Sequence, residues 1–192
     1  FLALRDALPD YLKGFVSFAY KTGWRVSEIA GLTWAQVDLE NNIVRLDVGS
    51  TKNREGRTVY LDNELREVFK AQWEARKRSG KIITFVFPNR AWDGMITDLR
   101  KAWRQACRKA GIGKRLFHDF RRTAVRNMVR AGISERVAMM ISGHKTRSVF
   151  DRYDIVNEAD LQVASQKQQA YLASQMGTVS GTVNKKEVTR IA

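Results

Sequence analysis

The sequence predicts an α+β fold, mainly helical, with a small three-stranded antiparallel sheet. Three observations carry this. Most apolar residues recur every three or four positions, as on the inner face of a helix. Two short runs instead alternate apolar and polar residues across a polar loop, which marks a hairpin. A further run, IITFVF at residues 82–87, is β-branched and aromatic enough to add a strand.

Taken in order, Leu8, Leu12, Phe15, Val16 and Ala19 predict a helix over residues 8–20 with a broad buried face, and Pro9 suits its first turn. Gly23 breaks it, and VSEIAGL restarts a short helix with Ser27 as the expected cap. Val44, Leu46 and Val48 then share one face of a strand, GSTKNREG turns the chain, and RTVYL returns as the second strand. Asp62 is placed to cap a helix with Leu65, Val68, Phe69 and Trp73 on its inner face, ending at Gly80. Pro88 stops the strand at 82–87. Beyond it the spacing predicts helices over 97–110, 120–131 and 134–142, a short one carrying Tyr153, and one over 157–173, with Gly111, Gly132 and Gly143 at helix ends. Trp34, Trp73, Trp103 and Phe120 are read as core. Residues 1–176 read as one domain, because no repeat or linker interrupts them, and 177–192 as a flexible tail without apolar period. The chain begins at Phe1 rather than methionine and is read as a piece of something longer.

A hydrophobic content of 44% over 192 residues is enough for a packed core. The single cysteine, Cys107, excludes an intrachain disulfide and is expected to be a small buried residue. Apolar runs are too short to span a bilayer, so a cytoplasmic protein is expected. Against 20 acids stand 34 Lys and Arg, a formal charge of +14, which makes a polyanion the expected partner. Eleven of these cations fall between Arg100 and Arg130 with one acid, Asp119. Because apolar and aromatic residues at helical spacing run through this stretch, it reads as a folded nucleic-acid surface rather than a tail. Membrane binding would want an exposed apolar helix face beside the charge, and none stands out.

Several chemistries lack their motifs. There is no Gly-x-x-x-x-Gly-Lys phosphate loop, no Gly-x-Ser-x-Gly elbow and no Gly-x-Gly-x-x-Gly unit. The two histidines, His118 and His144, with one cysteine do not make a zinc set, and the His118–Asp119 pair lacks the upstream histidine of a metal-dependent phosphohydrolase. HDFRR, however, sets His118 and Arg121 three apart on one face of a helix start, where an imidazole and a forked guanidinium beside backbone amides suit a phosphate. SGHKTRSVFDRY places His144 and Tyr153 nine positions apart with Lys145, Arg147 and Arg152 between them.

Through most of residues 8–160 the sequence resembles the tyrosine recombinases, or phage-integrase family. TGWRVSEIAGLTWAQVD is similar to the family's first box, with Arg25 in the place of its first catalytic arginine and Glu28 in that of its supporting acid. STKNREGRTVYL looks like the hairpin that presents a catalytic lysine, here Lys52. FHDFRRTAVRNMVRAG is similar to the His-x-x-Arg box, giving His118 and Arg121, and SGHKTRSVFDRY to the closing box, giving His144 and the nucleophile Tyr153. Six residue types in the right order across four boxes are hard to obtain by chance. The family's N-terminal DNA-clamping domain has no counterpart here, consistent with a catalytic-domain fragment.

The resemblance implies attack of a tyrosine phenolate on a DNA phosphodiester, leaving a 3′-phosphotyrosine and a free 5′-hydroxyl, with neither metal nor ATP nor another cofactor required. A tyrosine's ordinary pKa of about 10 leaves roughly a thousandth as phenolate near pH 7, a handicap of about 4 kcal/mol that nearby cations must offset. Arg25 and Arg121 would stabilise charge on the non-bridging oxygens, His118 would take the tyrosine proton, His144 would add a hydrogen bond, and Lys52 would protonate the departing oxygen. Lys114, Arg115, Arg122, Lys145 and Arg147 are the expected contacts to double-stranded DNA. Residues 157–173 would join subunits, with Leu161, Ala164 and Leu172 as a sparse apolar face, in a tetramer on paired DNA sites. A nucleoid-associated protein of a prokaryote or phage follows from the same likeness. The competing readings are a helix-turn-helix binding module, suggested by the spacing in SEIAGLTWAQVD, and a type IB topoisomerase.

Overall fold

In the computed structural model, residues 1–46, 56–153, 156 and 158–179 are described. Val48, Lys52 and residues 180–192 of the tail expected over 177–192 lie outside these residues. The chain divides into two units, Phe1–Asp154 and Ile155–Ala192.

Helix α1 (Leu2–Asp6) leads into α2 (Asp10–Thr22), whose first turn follows Pro9 and whose end is turned by Gly23 at φ +69°. Leu12, Phe15, Val16, Phe18 and Ala19 are all at most 1% exposed, so α2 presents apolar residues on more than one side. It packs on α3 (Val26–Ala30), on α4 (Asn63–Ser79) and on α6 (Asp119–Arg130). Arg25, not Ser27, is the N-cap of α3: the Glu28 carboxylate accepts the Arg25 backbone N–H at 2.9 Å and closes the first turn from within. Asp62 caps α4 as expected, accepting from Leu65 N at 2.9 Å, and Gly80 ends it at φ +65°.

The sheet has the order β1 (Val37–Asp38), β2 (Ile43–Leu46), β3 (Arg57–Tyr60), antiparallel throughout, with Val44 opposite Val59 and Leu46 opposite Arg57. Its third strand is therefore not residues 82–87. That segment makes one isolated bridge, Phe85 with Thr33, and then sends Val86, Phe87 and Pro88 inward one after another. Its apolar content serves insertion between α2 and α4 aromatics, where Phe87 meets Phe15, Phe18 and Phe69, rather than one face of a sheet.

Helix α5 (Arg100–Lys109) buries Trp103, Ala106 and Cys107 and leaves its basic residues outside. Trp34 and Trp73 are half-buried against one another at 4.8 Å, whereas Trp103 and Phe120 are core. Helix α6 lies between two apolar clusters: Phe120 joins the large one around α2, and Ala124, Val125 and Met128 join Ala138 and Phe150 in a smaller one. The smaller cluster is completed by α7 (Glu135–Ser142), ended by Gly143 at φ +74°, and by α8 (Arg147–Phe150). Tyr153 is not on that helix but in the turn after it, its backbone N–H donating to Phe150 O at 2.7 Å. In the second unit, α9 spans Glu158–Val179 and exposes Leu161, Val163, Tyr171 and Leu172.

Candidate active site

Two helices end on the same buried cation. Gly23 and Gly143, both left-handed, turn the chain at the C-termini of α2 and α7, where the last carbonyls have no partner inside the helix and carry the negative end of its dipole. Arg121, 3% exposed on the first turn of α6, fills that position. Its Nη1 donates to Gly23 O at 2.8 Å and to Ser142 O, its Nη2 to Gly143 O at 3.2 Å, and its Nε to His144 Nε2 at 3.1 Å. A buried guanidinium is tolerated when its N–H groups are satisfied in this way. Burial and then the neighbouring charge of Arg25 still push its pKa down to about 10, so it remains protonated at neutral pH.

Because an arginine Nε can only donate, His144 Nε2 must accept, and the imidazole proton sits on Nδ1. Nδ1 then donates to Ser142 Oγ at 2.7 Å, and the serine hydroxyl donates to Ala138 O at 2.6 Å. Burial first, and the charges of Arg121 and Arg25 next, hold the His144 pKa at about 3, so the ring is neutral at physiological pH. At 4.8 Å from it lies the ring of Tyr153, which also packs on the Phe150 cluster. The Tyr153 hydroxyl is 2.8 Å from His118 Nε2. Desolvation, Arg121 and Arg25 keep the His118 pKa below the usual histidine value, and a neutral imidazole there can accept the phenol proton.

Arg25 stands at the edge of this group with its side chain 31% exposed. Its Nη1 donates to Glu28 Oε1 at 2.9 Å, and the same carboxylate faces Arg57 Nη2 at 2.5 Å. Desolvation opposes ionisation of Glu28, but the hydrogen bonds from Arg57 and Arg25 prevail and hold its pKa below the usual carboxylate range. Three arginines with one carboxylate and two neutral histidines give the site a net charge of +2. An anion is what this arrangement lacks.

Five of the six residues expected to act together thus converge: Arg25, His118, Arg121, His144 and Tyr153. Lys52, the sixth, lies outside the described residues. Of the expected DNA contacts, Lys114 and Arg115 are exposed between α5 and α6 and line a cavity of about 580 Å³ with Lys101, Arg104 and Arg108. Arg122 is exposed on α6, Lys145 is exposed after His144, and Arg147 is paired with Asp151 at 2.9 Å and with Glu135. Sequence reasoning missed Arg57 and Ser142. The signal for Arg57 was present, since period-two alternation puts it on the same inward face as Val59, where an arginine needs a partner. Among the described residues, no three His, Cys, Asp or Glu side chains gather as a metal-binding group, and no helix is long and apolar enough to cross a membrane.

Comparison with known proteins places the chain in a family. The phage integrase family model matches residues 2–159, and the chain belongs to that family. The integrase of Salmonella phage P22 is 29% identical over 160 residues, which cover 78% of this chain and 40% of that protein. Tyrosine recombinase XerD of Pseudomonas putida is 27% identical over 168 residues, covering 83% and 54%. The chain therefore spans about half the length of these relatives. In fold it is similar to the crystal structure of XerA recombinase, with a TM-score of 0.74 over 87% of this chain and 62% of that one at 24% identity. It is also similar to a lambda integrase dimer bound to a COC′ core site, with a TM-score of 0.64 over 82% of this chain and 49% of that one at 16% identity.

Proposed function

We propose that this chain is the catalytic part of a site-specific DNA recombinase that cuts and rejoins strands through a 3′-phosphotyrosine, acting in the cytoplasm of a prokaryotic cell. The observation that carries the reading is the Tyr153 hydroxyl, 2.8 Å from a neutral His118 in a site with surplus arginine charge. In the cleavage step the Tyr153 oxygen attacks phosphorus as its proton passes to His118 Nε2, the bond to the 5′-oxygen breaks, and that oxygen leaves with a proton supplied by Lys52. The phosphate ester energy is kept in the phosphotyrosine, so reversal by a second strand end needs no nucleotide.

The two arginines would contribute differently. At least four N–H groups of Arg121 are given to protein acceptors, so at most one remains for a phosphate oxygen and its contribution is chiefly charge. Arg25, partly exposed, is the one with donors to offer. For His144 to donate to the phosphate, its proton must move to Nε2. Ser142 supports this, since its O–H can turn from Ala138 O to His144 Nδ1, but the Arg121 Nε–H must leave Nε2 as the phosphate enters, because two donors cannot face one another. Self-assembly into a tetramer on paired DNA sites, with α9 between subunits, completes the reading; a lambda integrase tetramer bound to a Holliday junction is a solved structure of similar fold.

Incubation with a nicked DNA carrying the target phosphate tests the chemistry. The unaltered chain is expected to form a covalent adduct on Tyr153, and Tyr153→Phe to bind the same DNA without forming one. An adduct that persisted in Tyr153→Phe would remove the assignment.

A further inference from the structure

Arg57 opens β3 with its side chain 6% exposed, and it touches three parts of the site at once. Nη2 meets Glu28 Oε1 at 2.5 Å, Nη1 donates to Ser142 O at 3.1 Å, and Cζ lies 5.0 Å from the centre of the Trp24 ring. Two of these partners are shared. Glu28 Oε1 also accepts from Arg25 Nη1, and Ser142 O also accepts from Arg121 Nη1. The approach leaves no space at Gly143, where an added Cβ would lie 2.6 Å from Arg57 Cζ.

We propose that Arg57 is a positioning residue for strand cleavage: through Glu28 it sets the Arg25 guanidinium, and through the Ser142 carbonyl it sets Arg121 and the turn that carries His144. This rests on the recombinase reading of the site. Two physical reasons favour an arginine here. A rigid planar fork fixes two acceptors from different elements in one plane, which an ammonium on a flexible stem cannot do. Glu28 alone would also cancel the charge of Arg25, whereas Arg25, Glu28 and Arg57 together keep +1 for an incoming phosphate. Trp24 holds the assembly from the other side, its Nε1 donating to Ile141 O at 2.8 Å, so the first box, β3 and the end of α7 are joined around one buried side chain.

The test compares Arg57→Met and Arg57→Lys in the full chain. Arg57→Met is expected to slow Tyr153 adduct formation on nicked DNA about 100-fold, as for a small misplacement of reacting groups, with DNA affinity unchanged. Arg57→Lys should fall between it and the unaltered chain. A normal rate, or a loss of rate matched by a loss of affinity, overturns the proposal. Should Arg57→Met not fold, Arg57→Lys decides by the same split between rate and affinity. Carbon-13 titration of the Glu28 carboxyl reads the pairing without activity: its midpoint should rise in Arg57→Met and return toward the original in Arg57→Lys, and an unmoved midpoint overturns the proposal. An unaltered chain that forms no adduct counts against the recombinase reading alone, and the Glu28 titration then decides the role of Arg57.

Discussion

Each functional side chain here is defined by what its neighbours leave it to do. His144 is the clearest case: Arg121 takes its Nε2 lone pair, Ser142 takes its Nδ1 proton, and burial with three nearby cations keeps it neutral. That has a consequence for stability. The folded pKa, about 3, lies below the ordinary value of 6.5, so between these values the unfolded chain binds the extra proton and folding weakens as pH falls. Urea unfolding at pH 7, 6 and 5 should therefore show declining stability before the carboxylates titrate, and the decline should be shallower in His144→Gln. Glu28 adds a second loss in the same direction at lower pH, since its folded pKa lies below 4.5. Arg25, His118, Arg121, His144 and Tyr153 were named in the sequence through its resemblance to a family, which is legible because each matching box is a continuous stretch of chain. The tautomer of His144 was not legible, because a residue 23 positions away decides it.

Helix ends set the geometry at the next scale. Gly143 serves both its own backbone, at φ +74°, and the close approach of Arg57, so it has two reasons to lack a Cβ. Gly143→Ala should destabilise the chain by about 1–3 kcal/mol in denaturant unfolding and should also slow adduct formation, because the new methyl displaces the Arg57 guanidinium. The cap of α4 provides a contrast. Asp62→Ala removes the bond to Leu65 N and one of the carboxylates paired with Lys21, leaving Glu64, and should cost about 1 kcal/mol, with adduct formation unchanged once the variant is folded. Sequence patterning located nearly every helix and β2 and β3 because both periods are written in neighbouring residues. It misassigned the third strand: IITFVF has strand composition, but composition does not say which backbone lies beside it. Val37–Asp38, only two residues long and half-buried, held the sheet edge instead.

Charge and division into units belong to the molecule as a whole. A net charge of +14 with eleven cations between residues 100 and 130 predicts DNA affinity dominated by phosphate contacts. Raising salt from 50 to 200 mM should then weaken binding on the order of 10³-fold if about six phosphates are contacted. Both apolar clusters lie within residues 1–154, so deletion of 157–192 should leave the folding transition of that unit in place. The same deletion should impair assembly on paired DNA sites, read by gel mobility; unaltered assembly would count against α9 as the joining element.

Alone, the sequence pointed to a polyanion as the expected partner, to the mainly helical fold with its small sheet, and, through its resemblance to a family, to the candidate site residues. The first follows from composition and the second from period, whereas the third is what the resemblance across four boxes implies. Only the tertiary structure decided that Arg57 is the buried link between Glu28 and Ser142, that Arg121 spends most of its donors on two helix ends, and that the Tyr153 hydroxyl lies against His118. Each depends on backbone groups or side chains 21 to 98 positions apart, brought into contact by the packing of α2, α6 and α7.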